Sequence, residues 1–268
     1  MEKINKRYIG AVFLAPLLIF LFLGGIYLRL LIFVLSMLGM YEYYKVSKEK
    51  QINPMSLLGY FLCILYYIFL GNNNYKLLMF FIVVGVFLMF CVPIFDTKYN
   101  YVDIGVTILG FIYVAVFFSF IVLTNRLTYG NYLVWLIFIA SWMCDTFAYY
   151  SGRCFGKTKL CPKVSPKKTI EGSLGGLLGS VIACTIYGYV IYRYGVKIPL
   201  YNYAIIGLLC GVFSQCGDLA ASSIKRHVGV KDYSNLIPGH GGILDRFDSI
   251  LFSAVIVYYY LSFIVFRQ

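Results

Sequence analysis

The chain alternates between long apolar runs and short polar segments, and the lengths of the apolar runs predict its architecture. A helix needs about 20 mostly apolar residues to cross the hydrocarbon core of a bilayer. The pattern therefore predicts an all-α fold, a polytopic membrane bundle of about nine transmembrane helices. The nine predicted spans lie at about residues 8–24, 26–40, 55–71, 77–93, 103–124, 132–150, 173–193, 203–223 and 249–266.

The amino-acid composition agrees with a membrane protein and leaves little room for a soluble domain. The 268 residues are 61% hydrophobic and only 13% charged, whereas soluble domains carry about 25% charged residues. The basic residues at the N-terminus precede an apolar run without a clear cleavage site, so we interpret this run as a retained first span. Six of the eight cysteines lie in apolar runs, and we expect all eight to be reduced and structural.

Basic residues are distributed unevenly between the loops on the two sides of the predicted bundle. Seventeen of the 23 Lys and Arg residues fall on the side of the N-terminus, and cytoplasmic loops of membrane proteins retain such residues. The N-terminus and two long polar loops are therefore predicted to face the cytosol. The net charge of +12 does not indicate nucleic-acid binding, because no basic domain is large enough to follow a phosphate backbone.

The two long loops, residues 151–172 and 222–249, each follow an acidic residue placed inside apolar sequence. These acidic residues are Asp145 and Asp218. An ionised carboxylate within a span costs at least about 2.5 kcal/mol and needs a partner, a water-filled cavity or a cation. A helix-end ion pair explains one such acid equally well, but two acids that each lead into a basic loop favour a functional site.

Asp245 and Asp248 form another acidic cluster at the start of the last predicted span. Their spacing of three places both carboxylates on one helical face, where unpaired like charges repel. A divalent cation would remove that repulsion, and Mg²⁺ suits oxygen ligands that also face substrate phosphates. Acids in a first helical turn are also ordinary, because they favour the positive end of the helix dipole, so both interpretations stay open.

The turn before these acids has features of an anion-binding segment. Gly239, Gly241 and Gly242 can adopt positive φ angles and present amide hydrogens to an anion. His240 is a candidate donor to a phosphate oxygen or an acid for a leaving group. Four basic residues around the turn would neutralise a polyphosphate or attract anionic lipid headgroups. They are Lys225, Arg226, Lys231 and Arg246.

Three stretches of the C-terminal half resemble a known enzyme family. The pattern S-x-I-K-R-x4-K-D-Y-S-x-L-I-P-G-H-G-G-I-L-D-R-F-D, which ends at Asp248, resembles the C-terminal signature of phosphatidate cytidylyltransferases, also called CDP-diacylglycerol synthases. The stretches GDLAASSIKR (217–226) and SPKKTIEGSLGG (165–176) resemble two further parts of that family. The first 130 residues share only hydrophobicity with it, so we expect one integral membrane domain with low motif content in residues 1–130 and a catalytic half in residues 131–268.

The resemblance implies transfer of a cytidylyl group from CTP to phosphatidic acid, with Mg²⁺ required, in the inner or plasma membrane of the cell. It places the metal on Asp218, Asp245 and Asp248. Lys225, Arg226, Lys231, His240 and Arg246 would act on the triphosphate and the leaving pyrophosphate. Gly241 and Gly242 would bind phosphate through their amides, and the remaining residues would close over the site or hold the lipid phosphate. Those remaining residues are Ser165, Lys167, Lys168 and Thr169.

Other interpretations stay open beside this one. A CTP-dependent lipid kinase of the polyprenol or phytol type would place the γ-phosphate of CTP, rather than the cytidylyl group, on a lipid. A transporter would carry its acids at mid-membrane in broken helices, whereas the acids here lie near one face. A second, monovalent cation and a homodimer are compatible with the sequence, although we favour packing within one protomer for the small-residue stretch GSLGGLLGS (172–180).

Overall fold

The computed structural model describes residues 18–71, 74–237, 239 and 241–267, and it confirms the all-α class. Residues 18–23 are helical and are labelled α1. The helices that follow are α2 (Gly25–Ser47), α3 (Ser56–Gly71), α4 (Tyr75–Phe95), α5 (Tyr101–Gly110), α6 (Phe117–Arg126), α7 (Gly130–Leu133), α8 (Trp135–Phe155), α9 (Ile170–Arg193), α10 (Leu200–Val228) and α11 (Leu244–Tyr260). A 3-10 turn (Lys48–Lys50) follows α2, π-helical segments (Phe111–Val116 and Leu261–Val265) follow α5 and α11, and the strands are β1 (Lys159–Cys161) and β2 (Ser165–Thr169).

Seven helices among the described residues are long and apolar enough to cross a membrane, which makes the chain a multi-pass membrane protein. They are Gly25–Lys50, Lys76–Phe95, Tyr101–Arg126, Gly130–Phe155, Ile170–Arg193, Leu200–Val228 and Leu244–Val265. Helix α3 is apolar but shorter, with 16 residues. Most of the first predicted span, 8–24, lies outside the described residues, so the predicted count of nine is approximate.

The helices differ in how much of their apolar surface the protein itself buries. In Lys76–Phe95 only 6% of the most apolar window is buried, whereas in Tyr101–Arg126 the share is 61%. A helix of 20 residues that leaves nearly all of its apolar side chains unburied would expose a large apolar patch, which soluble proteins avoid. Helix α4 therefore presents its side chains to lipid, and the helix through α5 and α6 belongs to the protein interior.

The last helices extend further than their apolar runs predicted. Helix α10 continues to Val228 and therefore carries Lys225 and Arg226, which the sequence analysis placed in a loop. Helix α11 begins at Leu244, five positions before the predicted start, so Asp245 lies in its first turn. Hydropathy marks only the lipid-facing part of a helix, whereas backbone hydrogen bonds continue into its polar ends.

The chain divides into two compact units. The first unit contains the described residues up to Ser119 together with His227–Asp245. Hydrogen bonds between its helices satisfy buried polar groups: the Tyr44 hydroxyl donates to the Thr107 carbonyl at 2.8 Å, and the hydroxyls of Tyr66 and Ser119 lie 2.7 Å apart. Such pairs matter in a membrane, because lipid offers no alternative partner.

The second unit contains Phe120–Arg226 and Arg246–Gln268, and in it α8 packs along α9. Glycines on α9 allow the close approach. A Cβ atom at Gly176 would lie 2.7 Å from the Cys144 carbonyl oxygen and 2.9 Å from the Ala148 Cβ. The small residues of the 172–180 stretch therefore pack against α8 of the same chain, as small residues do where membrane helices meet.

Replacing Gly176 with alanine is expected to destabilise the protein by about 1–3 kcal/mol, because overpacking forces the two helix backbones apart. Thermal unfolding of the detergent-solubilised protein measures this. Gly105 is the matched control, since it is also helical but has no atom within 4 Å of its ideal Cβ position. Gly105→Ala should leave the melting temperature unchanged or raise it, and an equally stable Gly176→Ala would contradict the packing described here.

Candidate active site

Three carboxylates from three helices of the second unit act on one another electrostatically. Asp145 on α8 interacts with Asp218 on α10, and Asp248 on α11 interacts with both. Ser249 links two of them, because its hydroxyl donates to Asp145 Oδ2 at 3.3 Å and its backbone N–H donates to Asp248 Oδ1 at 2.7 Å. The structure thus brings together acids that are 103 positions apart in the sequence.

Two lysines supply positive charge to these acids. Lys168 Nζ lies 2.5 Å from Asp218 Oδ2, with both side chains about one quarter exposed. Asp218 Oδ1 also accepts a hydrogen bond from the Ser222 hydroxyl at 3.3 Å. Lys225 is only 8% exposed and interacts with Asp248. Charges in an apolar surrounding persist when they are paired in this way.

A glycine allows α10 and α11 to approach closely beside the acids. A Cβ atom at Gly217 would lie 2.5 Å from the Asp248 carbonyl oxygen and 2.7 Å from the Phe252 ring. Gly217 immediately precedes Asp218, so the contact sets the separation between the helices at the level of the carboxylates. This accounts for the glycine in the sequence GDL.

The hairpin of β1 and β2 carries Lys168, and contacts with α9 hold it in place. Lys159 pairs with Thr169 across the hairpin. The Thr169 hydroxyl accepts from the Gly172 N–H at 3.1 Å and caps α9, as threonine commonly does at helix starts. Glu171, in the first turn of α9, accepts from the Thr158 N–H at 3.1 Å. Lys168 therefore lies on a hairpin whose two ends are both attached to α9.

A cavity of about 330 Å³ lies between these elements within the second unit. Its wall carries three cationic side chains, those of Arg153, Lys167 and Lys168, together with the carboxylate of Asp145. Asp145 is among the exposed residues of α8, which agrees with its position on the wall. The other residues of the wall are Ala148, Tyr149, Gly152, Leu160, Thr169, Gly172, Ser173 and Gln215. A cationic cavity with an apolar flank suits a phosphate group.

The remaining predicted site residues of the second unit are accessible. Lys167 and Arg246 are exposed, and Ser165 is half-buried at the start of β2. Arg226 is exposed, and its Nε lies 3.4 Å from the Val164 carbonyl oxygen on the turn between the strands. The roles assigned to these residues stay predictions.

In the first unit, Asp245 lies beside the turn that precedes α11. Its Oδ2 atom accepts from the Tyr233 N–H at 2.8 Å and from the Gly242 N–H at 2.9 Å. Gly241 has a φ of +83°, a conformation that favours glycine, and Lys231 is exposed. His240 lies outside the described residues. A metal site shared by Asp218, Asp245 and Asp248 stays a prediction.

Sequence reasoning missed an acid that binds this turn and assigned no site role to a second acid, Asp145. Glu42 falls between the predicted spans 26–40 and 55–71, yet it is a fully buried residue of α2 that contacts Ser234, Ile243 and Leu244 of the same unit. Its only signal was an acid inside the aromatic stretch YEYY. Asp145 was recognised as an intramembrane acid, but it carried no motif that linked it to Asp248.

The acids fit a hard divalent cation by their chemistry. Within the described part of the chain, no group of three or more His, Cys, Asp and Glu side chains could hold a metal ion. Mg²⁺, however, commonly uses one or two carboxylates together with waters and substrate phosphates. Asp218 and Asp248 offer such a pair, so the residues present are compatible with Mg²⁺ bound together with a phosphate substrate.

Comparisons with known proteins agree with the resemblance seen in the sequence. The model of a family described as "Cytidylyltransferase family" matches residues 5–264. A Bacillus subtilis protein named phosphatidate cytidylyltransferase is 32% identical over 273 residues, which cover 98% of this chain and 99% of that relative. A Staphylococcus haemolyticus protein of the same name is 31% identical, with 88% of this chain and 91% of the relative covered. A third relative, from Staphylococcus saprophyticus, is 39% identical over 58% of each chain.

Because Lys168 and Asp218 form an ion pair, substitutions of the two residues should have non-additive effects on the free energy of unfolding. Lys168→Met leaves Asp218 without its ion-pair partner and should lower the melting temperature. The same change together with Asp218→Asn should cost less than the sum of the two single changes. Because both side chains are partly exposed, we expect a coupling energy of about 1 kcal/mol. A double-mutant cycle of thermal unfolding in detergent measures it.

Lys167→Met is the control for this cycle. It removes the same charge from the neighbouring, exposed position of β2, and it should show no coupling to Asp218→Asn. Equal coupling for Lys167 and Lys168 would contradict a specific pair.

Proposed function

The chain belongs to the cytidylyltransferase family, and we propose that it transfers the cytidylyl group of CTP to phosphatidic acid. The products are CDP-diacylglycerol, a precursor for phospholipid synthesis, and pyrophosphate. Relatives that carry the name phosphatidate cytidylyltransferase align with nearly the whole chain. The lipid substrate fits the membrane-spanning helices, in which the candidate site is built.

The observation that carries this proposal is the set of paired charges beside the cavity of the second unit. Asp145, Asp218 and Asp248 come from membrane-spanning helices, yet all three are near the cations Lys168 or Lys225. An ionised carboxylate in a membrane span costs free energy, so such acids are usually retained where they serve a function. Their position next to a cationic cavity favours chemistry on phosphates over a purely structural role.

The reaction joins two phosphate groups and requires little covalent participation of the protein. A phosphate oxygen of phosphatidic acid attacks the α-phosphorus of CTP and forms the new P–O bond. The bond between that phosphorus and the oxygen bridging to the β-phosphate breaks, and pyrophosphate leaves with the electron pair. Positioning and neutralisation of charge supply most of the catalysis in such transfers. Arg153, Lys167 and Lys168 line the cavity and would hold phosphate oxygens.

Mg²⁺ dependence is part of the proposal. Asp218 and Asp248 would hold the ion together with waters and substrate phosphates, and Asp245 is kept from the sequence analysis as a proposed further ligand. When bound, Mg²⁺ neutralises phosphate oxygens and orients them for in-line displacement. Lys225 would remain beside Asp248 and limit repulsion between the acids before substrates bind.

We further propose that the protein resides in the cell membrane with its site open to the cytosol, where CTP is made. The excess of basic residues on the side of the N-terminus supports this orientation. The hairpin 159–169 belongs to that basic side, and it carries Lys167 and Lys168.

Purified protein supplied with CTP, phosphatidic acid and Mg²⁺ is expected to incorporate label from the cytidine of CTP into lipid, and none from its γ-phosphate. Chelation of Mg²⁺ should stop the reaction. Asp248→Asn should reduce turnover by at least about 100-fold, since electrostatic groups at a reacting centre contribute on the order of 10²–10³. Chromatography of the lipid products measures all three outcomes.

Asp96→Asn is the matched control for the assay. Asp96 lies in the exposed loop between α4 and α5, paired with Lys98, and its change should leave turnover intact. Label from the γ-phosphate in lipid would instead identify a CTP-dependent lipid kinase. Full activity of Asp248→Asn would remove Asp248 from the site, and nucleotide-independent flux without any transfer would favour a transporter.

The orientation can be tested at Cys154, a free and exposed cysteine near the end of α8. A membrane-impermeant maleimide should modify Cys154 in inverted vesicles but not in intact protoplasts, as judged by mass spectrometry of the peptide that contains it. Lys197→Cys, exposed between α9 and α10, should show the opposite pattern. Labelling of Cys154 from outside the cell would overturn the proposed orientation.

A further inference from the structure

Glu42 is a fully buried carboxylate in the half of the chain that has no recognisable motif. It lies on α2 with 0% of its surface exposed. None of the sequence patterns assigned to the active site includes it. A charged group is almost never buried to this extent unless other groups satisfy it.

The partners of Glu42 all belong to the segment that leads into α11. Its Oε1 atom accepts from the Ser234 hydroxyl at 2.6 Å and from the Ile243 N–H at 2.9 Å, and its Oε2 atom accepts from the Leu244 N–H at 2.9 Å. The donors are 192 to 202 positions away in the sequence. All of these residues lie within the first unit.

These contacts complete the start of α11. The first N–H groups of a helix have no partner within the helix, and a carboxylate at that end is also favoured by the helix dipole. Glu42 therefore acts as a cap supplied by a distant helix. Its charge makes these hydrogen bonds stronger than neutral ones.

The same contacts determine which residue can precede α11. A Cβ atom at Gly242 would lie 2.6 Å from both Oε1 and Oε2 of Glu42, so only glycine leaves room for the carboxylate. The Gly242 N–H, which Glu42 does not use, donates to Asp245 Oδ2 at 2.9 Å. Glu42 and Asp245 thus bind consecutive amides of one turn, those of residues 242, 243 and 244.

We propose that Glu42 is a positioning residue for the transfer reaction: its carboxylate fixes the turn 234–244, and through that turn it fixes the carboxylate of Asp245. The inference rests on the proposed function, in which Asp245 is a ligand of Mg²⁺. Glu42 acts through the turn and does not touch substrate. Residues that orient a metal ligand in this way commonly contribute about 10–100-fold to metal affinity or activity.

The test is the full-length protein with Glu42→Gln, which keeps the shape of the side chain but replaces one acceptor oxygen with an NH₂ group. Mn²⁺ serves as the probe for direct cation binding, followed by electron paramagnetic resonance. We expect Mn²⁺ affinity to fall by about 10–100-fold, and the Mg²⁺ concentration for half-maximal turnover to rise by a similar factor. Hydrogen exchange should also show faster exchange at the amides of Ile243 and Leu244.

Three further variants separate positioning from a general loss of stability. Glu49→Gln removes the same charge from an exposed position just after α2 and should leave Mn²⁺ affinity unchanged. Glu42→Asp keeps the charge and should recover part of the affinity that Glu42→Gln loses. Ser234→Ala removes only one hydrogen bond of Glu42, so we expect a smaller loss of Mn²⁺ affinity. If Glu42→Gln does not fold, the Mn²⁺ affinity of Ser234→Ala tests the inference in its place.

Wild-type affinity for Mn²⁺ in Glu42→Gln, or in Ser234→Ala where the former does not fold, would overturn the inference, even if the melting temperature falls. A wild-type protein that binds no Mn²⁺ would overturn it as well. Failure of the proposed function gives a different result, because the wild type would then transfer no labelled cytidine while the comparison of Mn²⁺ affinities would still report on Glu42.

Discussion

A carboxylate inside an apolar helix must be compensated by groups within a few ångströms, and this requirement shapes the second unit. Each such charge costs at least about 2.5 kcal/mol at the centre of a span, and removal of one partner leaves the other uncompensated. Asp218 meets this requirement through Lys168, which belongs to a hairpin and not to a neighbouring membrane helix. The acid therefore depends on the hairpin, which also forms one wall of the cavity.

The first unit satisfies a buried acid by a different physical route. Glu42 accepts hydrogen bonds from three donors, and two of these donors are amides at the start of α11. Amide donors are rigid, so they constrain direction as well as charge, whereas a lysine such as Lys168 can follow its partner. A turn that holds the proposed metal ligand Asp245 would benefit from rigid donors, whereas Asp218 would benefit from a flexible partner if it is to bind Mg²⁺ as proposed.

The sequence was informative where a local pattern determines the structure and silent where a distant contact does. Apolar runs predicted the membrane helices, and the cost of intramembrane charge singled out Asp145 and Asp218. The hairpin was missed, because SPKKT has weak strand propensity and because hydrogen bonds of Thr169 and Glu171 at the start of α9 help to hold the hairpin. Glu42 could not be found either, since its donors lie about 200 positions away and no periodicity connects them.

The balance of charge around the cavity gives a physical reason for the proposed divalent cation. Three carboxylates, those of Asp145, Asp218 and Asp248, face two lysines, with Lys167 and Arg153 as further cations on the cavity wall. These groups nearly cancel, so by themselves they would attract a triphosphate and a lipid phosphate only weakly. A divalent cation held by the acids would add two positive charges, so the local charge would become clearly positive where the phosphates bind. The acids that are costly in the membrane would thus become the means by which two anions are brought together.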